Sequence, residues 1–108
     1  MGGRVALHFA AAHPTKVHRL ILESASPGLA TEAERLERQA NDEALACEIE
    51  LHGVKDFVRR WERLPLFESQ LQLPSPVRAK RHAQRLRNTE AGLASALRGL
   101  GTGALPSL

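Results

Sequence analysis

Met1-Gly2-Gly3-Arg4-Val5-Ala6-Leu7-His8-Phe9-Ala10-Ala11-Ala12-His13-Pro14-Thr15-Lys16-Val17-His18-Arg19-Leu20-Ile21-Leu22-Glu23-Ser24 is the stretch on which the fold turns. Val5 to Ala12 is apolar nearly all round except for His8, the pattern of a helix buried in a larger body. Pro14 ends it, because the residue before a proline is pushed out of the helical region. Leu20-Ile21-Leu22, with Val17 ahead of it, is a short unbroken apolar run. That pattern predicts a strand near 18–23 covered on both faces, as in a parallel sheet. A buried helix followed by a buried strand makes the expected fold class α/β.

Beyond Ser24 the pattern becomes helical. Ser26-Pro27-Gly28 is turn chemistry. Thr31 and Glu34 stand three apart, the spacing of a capping box, and open a helix predicted from about Thr31 to Leu51. Leu36, Ala40, Ala44, Leu45 and Ile49 form its expected apolar stripe, and Gly53 is placed to end it. Val54, Phe57, Val58 and Trp61 then recur at i, i+3, i+4, i+7, and Pro65 closes that segment. Leu64-Pro65-Leu66-Phe67 reads as an apolar linker tucked beneath the helices. Ser75-Pro76 reads as a cap and first turn for a helix to about Arg87. Thr89-Glu90 opens a last helix carrying Leu93, Leu97 and Leu100, closed by Gly101. The chain as given is thus mostly α.

Composition bounds the class. With 43% hydrophobic and 25% charged residues the chain is globular, and its core must rest on Leu, Ala and Val, since there are only three Phe, one Trp and no Tyr. The single cysteine, Cys47, excludes an internal disulfide and a multi-cysteine metal site. No apolar run reaches transmembrane length. The opening residues lack the basic start and cleavage site of a signal peptide, so a cytoplasmic protein is expected, with no membrane insertion. The net charge is +3. It is spread among acids except at Arg78 to Arg87, where Arg78, Lys80, Arg81, Arg85 and Arg87 have no acid among them. No stacking aromatics interrupt that run, which argues for a solvated helix face and against nucleic acid.

One strand among five helices is an odd inventory, because a buried strand must pair its backbone groups. The simplest account is that the chain is an internal piece of a longer protein. A free-standing helical interaction module, with 17–24 as loop or helix, is the alternative from another class.

Met1-Gly2-Gly3 resembles the second half of a Gly-x-Ser-Met-Gly-Gly nucleophile elbow, as in α/β hydrolases. Glu23-Ser24-Ala25-Ser26-Pro27-Gly28-Leu29, the charged helix with Arg35 and Arg38, Trp61 ahead of Leu-Pro-Leu-Phe, and Leu86-Arg87-Asn88 narrow this. Together they resemble the 2-succinyl-6-hydroxy-2,4-cyclohexadiene-1-carboxylate synthase family of menaquinone biosynthesis. The resemblance covers nearly the whole chain. It implies an α/β-hydrolase fold cut into residues 1–26 (core helix and strand just after the elbow), 27–101 (a helical lid) and 102–108 (the start of the return to the core). It also implies a lyase that abstracts a proton from a cyclohexene bearing enolpyruvyl and succinyl groups and expels pyruvate, with no cofactor, no metal and no partner protein.

The same resemblance places the catalytic serine immediately before Met1 and the acid and histidine beyond Leu108, so that no triad member lies in the chain and the chain alone is expected to be inactive. Met1 would supply a backbone N–H to the oxyanion hole. The substrate is a small polycarboxylate, and arginine's planar fork suits carboxylates. Arg4, Arg38 and Arg87 are the expected substrate-binding arginines, with Trp61 an additional lid contact. Each also has a plainer reading: Arg4 on the surface, Arg38 paired within its helix, Arg87 in solvent, Trp61 in the core. Another lidded α/β hydrolase acting on a C–C or ester bond is the alternative within the fold. It has no need of three arginines together. His8 is expected to be a hydrogen-bonded structural group, and Cys47 a buried or inert thiol.

Overall fold

The computed structural model describes all residues, 1–108, and contains four helices: α1 Gly2–Ala12, α2 Glu32–Glu62, α3 Ser75–Leu86 and α4 Glu90–Leu100. Short 3-10 turns occupy Pro14–Lys16 and Pro65–Gln72. There is no strand, which corrects the expectation for 18–23. A strand exists through its ladder to a neighbour, and no second strand is present to hold one. Residues 17–31 therefore run without regular structure, and Ile21 is 93% exposed. As it stands the α/β expectation is met by its helices and not by its sheet.

The helix boundaries follow local chemistry. Thr31 caps α2 through a complete capping box. Its side chain accepts from the Glu34 N–H at 3.2 Å, and the Glu34 carboxylate accepts from the Thr31 N–H at 3.1 Å. Gly53 breaks the same helix at φ 84°, ψ 170°, a region that side chains exclude, so α2 is two helical runs joined at a kink. Thr89 caps α4 by accepting from the Gly92 N–H at 3.0 Å. The cap expected from Ser75 is not made. Ser75 is already helical, and the carbonyl of Pro74 accepts the first turn's N–H groups of Val77 and Arg78 at 3.0 and 3.1 Å.

Packing is concentrated between α2 and α4. Ala46, Ile49 and Val58 of α2 and Ala94 of α4 are the buried apolar residues. The buried face of α2 thus runs through Asp42, Ala46 and Ile49, not through Leu36, Ala40 and Ala44; Leu36 is 57% exposed. Arg98 of α4 clamps that seam. It donates to Glu43 from Nε at 2.8 Å and Nη2 at 3.0 Å, and pairs with Glu50 through Nη1. Arg98 holds the Glu43 carboxyl below its usual range, and Glu43 and then Glu50 push the guanidinium's own pKa up.

α1 is not the buried helix expected. Only Arg4 is buried in it, and Val5 and Phe9 are about half exposed. Its main packing partner is the turn that follows it. Leu66 is also exposed, so only Phe67 of the Leu-Pro-Leu-Phe linker tucks in, against Trp61 at 5.6 Å between ring centroids. The radius of gyration is 16.4 Å, against about 13 Å expected for a compact body of this length. The molecule is elongated, 45 × 30 × 23 Å, with a small core. No helix is long and apolar enough to cross a membrane.

Candidate functional site

The start of α1, the middle of α2, and α4 with the residues after it enclose a cavity of about 430 Å³. Met1, Arg4, Arg38 and Trp61 all line it, so four of the five residues singled out from the sequence come together. The floor is apolar: Leu45, Ile49, Phe57, Val58, Leu93 and Leu97. Phe57 and Trp61 pack as a tilted ring pair at 5.4 Å in the lining, and Phe67, outside this cavity, packs against Trp61 at 5.6 Å.

Arg4 is the most constrained charge. It is 8% exposed. Its Nη1 donates to the Thr102 hydroxyl at 3.0 Å and its Nη2 donates to the carbonyl of Leu100, while Nε is buried without a partner. Both partners are neutral, and no carboxylate forms an ion pair with it. A buried cation is costly unless an anion compensates it. Arg38, on α2, is half exposed and donates from Nε to Asp42 Oδ1 at 3.1 Å. Asp42 lines the cavity as its single carboxylate. It anchors one edge of the Arg38 guanidinium and leaves the two terminal nitrogens outside that bond.

Arg87 does not line this cavity. It caps the end of α3, exposed, while Arg85 and Asn88 on either side contribute to the lining. Those two were not among the sequence expectations. Arg85 belongs to the basic run that reads as a solvated face, yet its Nη1 donates to Glu62 at 2.9 Å, its Nη2 donates to Gln70 at 3.1 Å, and its guanidinium lies 5.4 Å from the Phe67 ring centre. The lining arginines Arg4, Arg38 and Arg85 outnumber the lone Asp42, so the cavity carries excess positive charge over an apolar floor.

His8 departs from expectation, and Cys47 is exposed and not buried. The Nε2 of His8 is buried without a hydrogen-bond partner. Cys47 is exposed, its Sγ lying against Glu43 and Arg98 at 3.5 and 3.8 Å. Neither lies in the cavity. The histidines, Cys47 and the carboxylates form no group of three that could hold a metal ion.

Known proteins resemble this chain over most of its length. A Bacillus subtilis (strain 168) protein, provisionally named 2-succinyl-6-hydroxy-2,4-cyclohexadiene-1-carboxylate synthase, is 48% identical over 108 residues, all of this chain and 39% of that protein. A 2-succinyl-6-hydroxy-2,4-cyclohexadiene-1-carboxylate synthase from Klebsiella pneumoniae is 34% identical over 97 residues, 90% of this chain and 37% of its own length. A solved structure of MenH from S. aureus superposes with a TM-score of 0.87 at 45% identity, covering 98% of this chain and 40% of that one. The chain thus spans about two fifths of the length of the relatives it matches. No protein-family model matches it.

Proposed function

We propose that this chain, homologous over its whole length to part of the 2-succinyl-6-hydroxy-2,4-cyclohexadiene-1-carboxylate synthases, is the substrate-recognition segment of such an enzyme in menaquinone biosynthesis. On this reading residues 1–26 are a piece of an α/β-hydrolase core, residues 27–101 are the lid, and 102–108 lead back to the core. The observation that carries the proposal is Arg4: a buried guanidinium with only neutral partners, in a cavity it shares with Arg38 and Trp61. Such a cation fits a carboxylate that arrives with the substrate.

The chemistry divides accordingly. Proton abstraction from the cyclohexene ring and cleavage of the bond to the enolpyruvyl oxygen fall to a Ser-His-Asp triad contributed by the rest of the synthase. This segment holds the carboxylates. Arg4 and Arg38 present N–H groups to them, Trp61 covers the ring, and the backbone N–H of Met1 faces developing negative charge on oxygen. Arg87, exposed at the end of α3 beside the lining residue Asn88, is the third arginine assigned to the substrate. The assembled enzyme acts in the cytoplasm, on a small molecule.

The test is a chimera. Residues 1–108 replace the aligned region of the Bacillus subtilis relative, and release of pyruvate is followed. The chimera should turn over, and Arg38→Ala and Trp61→Ala in it should lower kcat/KM. A folded chimera without activity would overturn the proposal. The 108-residue chain alone should release no pyruvate.

A further inference from the structure

A second cavity, of about 370 Å³, opens between α3 and the 3-10 turn at Pro65–Gln72. One side is a cationic stripe. Arg78, Arg81, His82 and Arg85 recur at the three- and four-residue spacing that places them on one face of α3. The other side is apolar, with Phe67, Leu71 and Leu73. Glu62 is the single carboxylate in the lining, and it is already engaged: Arg85 donates to it at 2.9 Å, and His82 Nδ1 lies 3.0 and 3.1 Å from its two oxygens. Arg78 and Arg81 pair with no acid anywhere in the chain. Two uncompensated guanidinium groups therefore face an apolar wall across a trough large enough for a small organic molecule.

We propose that this trough binds a small organic anion, its carboxylate or phosphate held by Arg78 and Arg81 and its apolar body laid against Leu71 and Leu73. The site is separate from the cavity of Arg4 and Arg38, and the two share only Arg85. It gives a role to Arg78 and Arg81 of the acid-free run, which the proposed synthase function leaves unused. An apolar wall favours a molecule with a hydrocarbon or aromatic body over a bare inorganic ion.

The 108-residue chain, isotopically labelled, is titrated at neutral pH with phthalate, phenyl phosphate, inorganic phosphate and benzyl alcohol while backbone amides are followed by NMR. Phthalate or phenyl phosphate should saturate and shift amides of residues 67–85, and the stronger of the two identifies the preferred head group. Benzyl alcohol should produce no saturating shift, and inorganic phosphate should bind more weakly. Arg78→Gln and Arg81→Gln should each weaken binding about tenfold. Lys80→Gln, which removes the same charge from the same helix outside the lining, should leave it unchanged. Arg4→Ala should also leave these shifts unchanged, which separates this site from the first cavity. Absence of saturable shifts with both organic anions would overturn the proposal, as would undiminished, parent-like affinity in Arg78→Gln and Arg81→Gln, or an equal loss in Lys80→Gln.

Discussion

Arg4 and Thr102, 98 positions apart in the chain, are joined by a 3.0 Å hydrogen bond from the guanidinium Nη1 to the hydroxyl Oγ1. With the second bond to the carbonyl of Leu100, this ties the first turn of α1 to the end of α4 and sets one wall of the cavity.

From that geometry Arg4→Met should separate stability from function. Arg4→Met removes the desolvation cost of a buried charge that has no anion, which offsets the loss of its hydrogen bonds to Thr102 and Leu100, so the denaturation midpoint of the chain should move little. Within a complete synthase the same change should lower kcat/KM roughly ten- to a hundred-fold, the effect of losing about 1.5–3 kcal/mol of charged hydrogen bonding. Arg4→Lys should recover only part, because a point charge lacks the planar fork. Lys80→Ala is the control for general electrostatics. An equal loss there would remove the case for a specific clamp.

The kink in α2 predicts opposite outcomes at two glycines. Gly53→Ala places a side chain at φ 84°, ψ 170° with its Cβ 3.2 Å from Glu90 Oε1, and should destabilise the chain by about 1–3 kcal/mol. Gly99 lies in α4 with open space around it. Gly99→Ala should stabilise by about 0.4–1 kcal/mol. Urea midpoints of the two variants decide the matter, and a shift of the same sign in both would contradict the kink.

The α2–α4 seam predicts a steep contrast within one turn of α2. Ile49 is fully buried and Leu51 is 79% exposed. Ile49→Ala should cost about 2–5 kcal/mol, a large part of a small domain's stability. Leu51→Ala should stay within about 0.5 kcal/mol. Loss of helical circular dichroism on heating distinguishes them, and equal midpoints would place the core elsewhere.

Acid should loosen the joint between α2 and α3. Burial works to raise the Glu62 carboxyl, but hydrogen bonds from Arg85 and His82 outweigh it and hold its pKa below the ordinary 4.5. A carboxyl depressed on folding contributes stability that is fully present above its unfolded pKa and lost as pH falls through the folded value. Glu62→Gln should therefore melt below the parent at neutral pH, and the two curves should converge as pH drops below about 4.5. Glu43, depressed by Arg98, acts with the same sign, so the variant keeps part of its acid sensitivity. A gap between parent and variant that is constant from neutral to acid pH would show that Glu62 is not held in this way.

What the chain determined by itself is local. The Thr31–Glu34 box, the Thr89 cap, the Gly53 break and the Pro65 stop each arise from bonds or backbone angles within a few residues, and all were legible in order. Arg4, Arg38 and Trp61 could be singled out through likeness to a family, and the structure brings them to one cavity. Tertiary structure decided the rest, because pairing across long separations is not written in periodicity. Residues 18–23 have the composition of a strand but no second strand to pair with, so they form none. The buried face of α2 passes through Asp42 rather than Leu36 because α4 lies on that side. Arg85, two residues from Arg87 in the same basic run, lines both cavities while Arg87 lines neither, since two residues on a helix turn a side chain by about 200°.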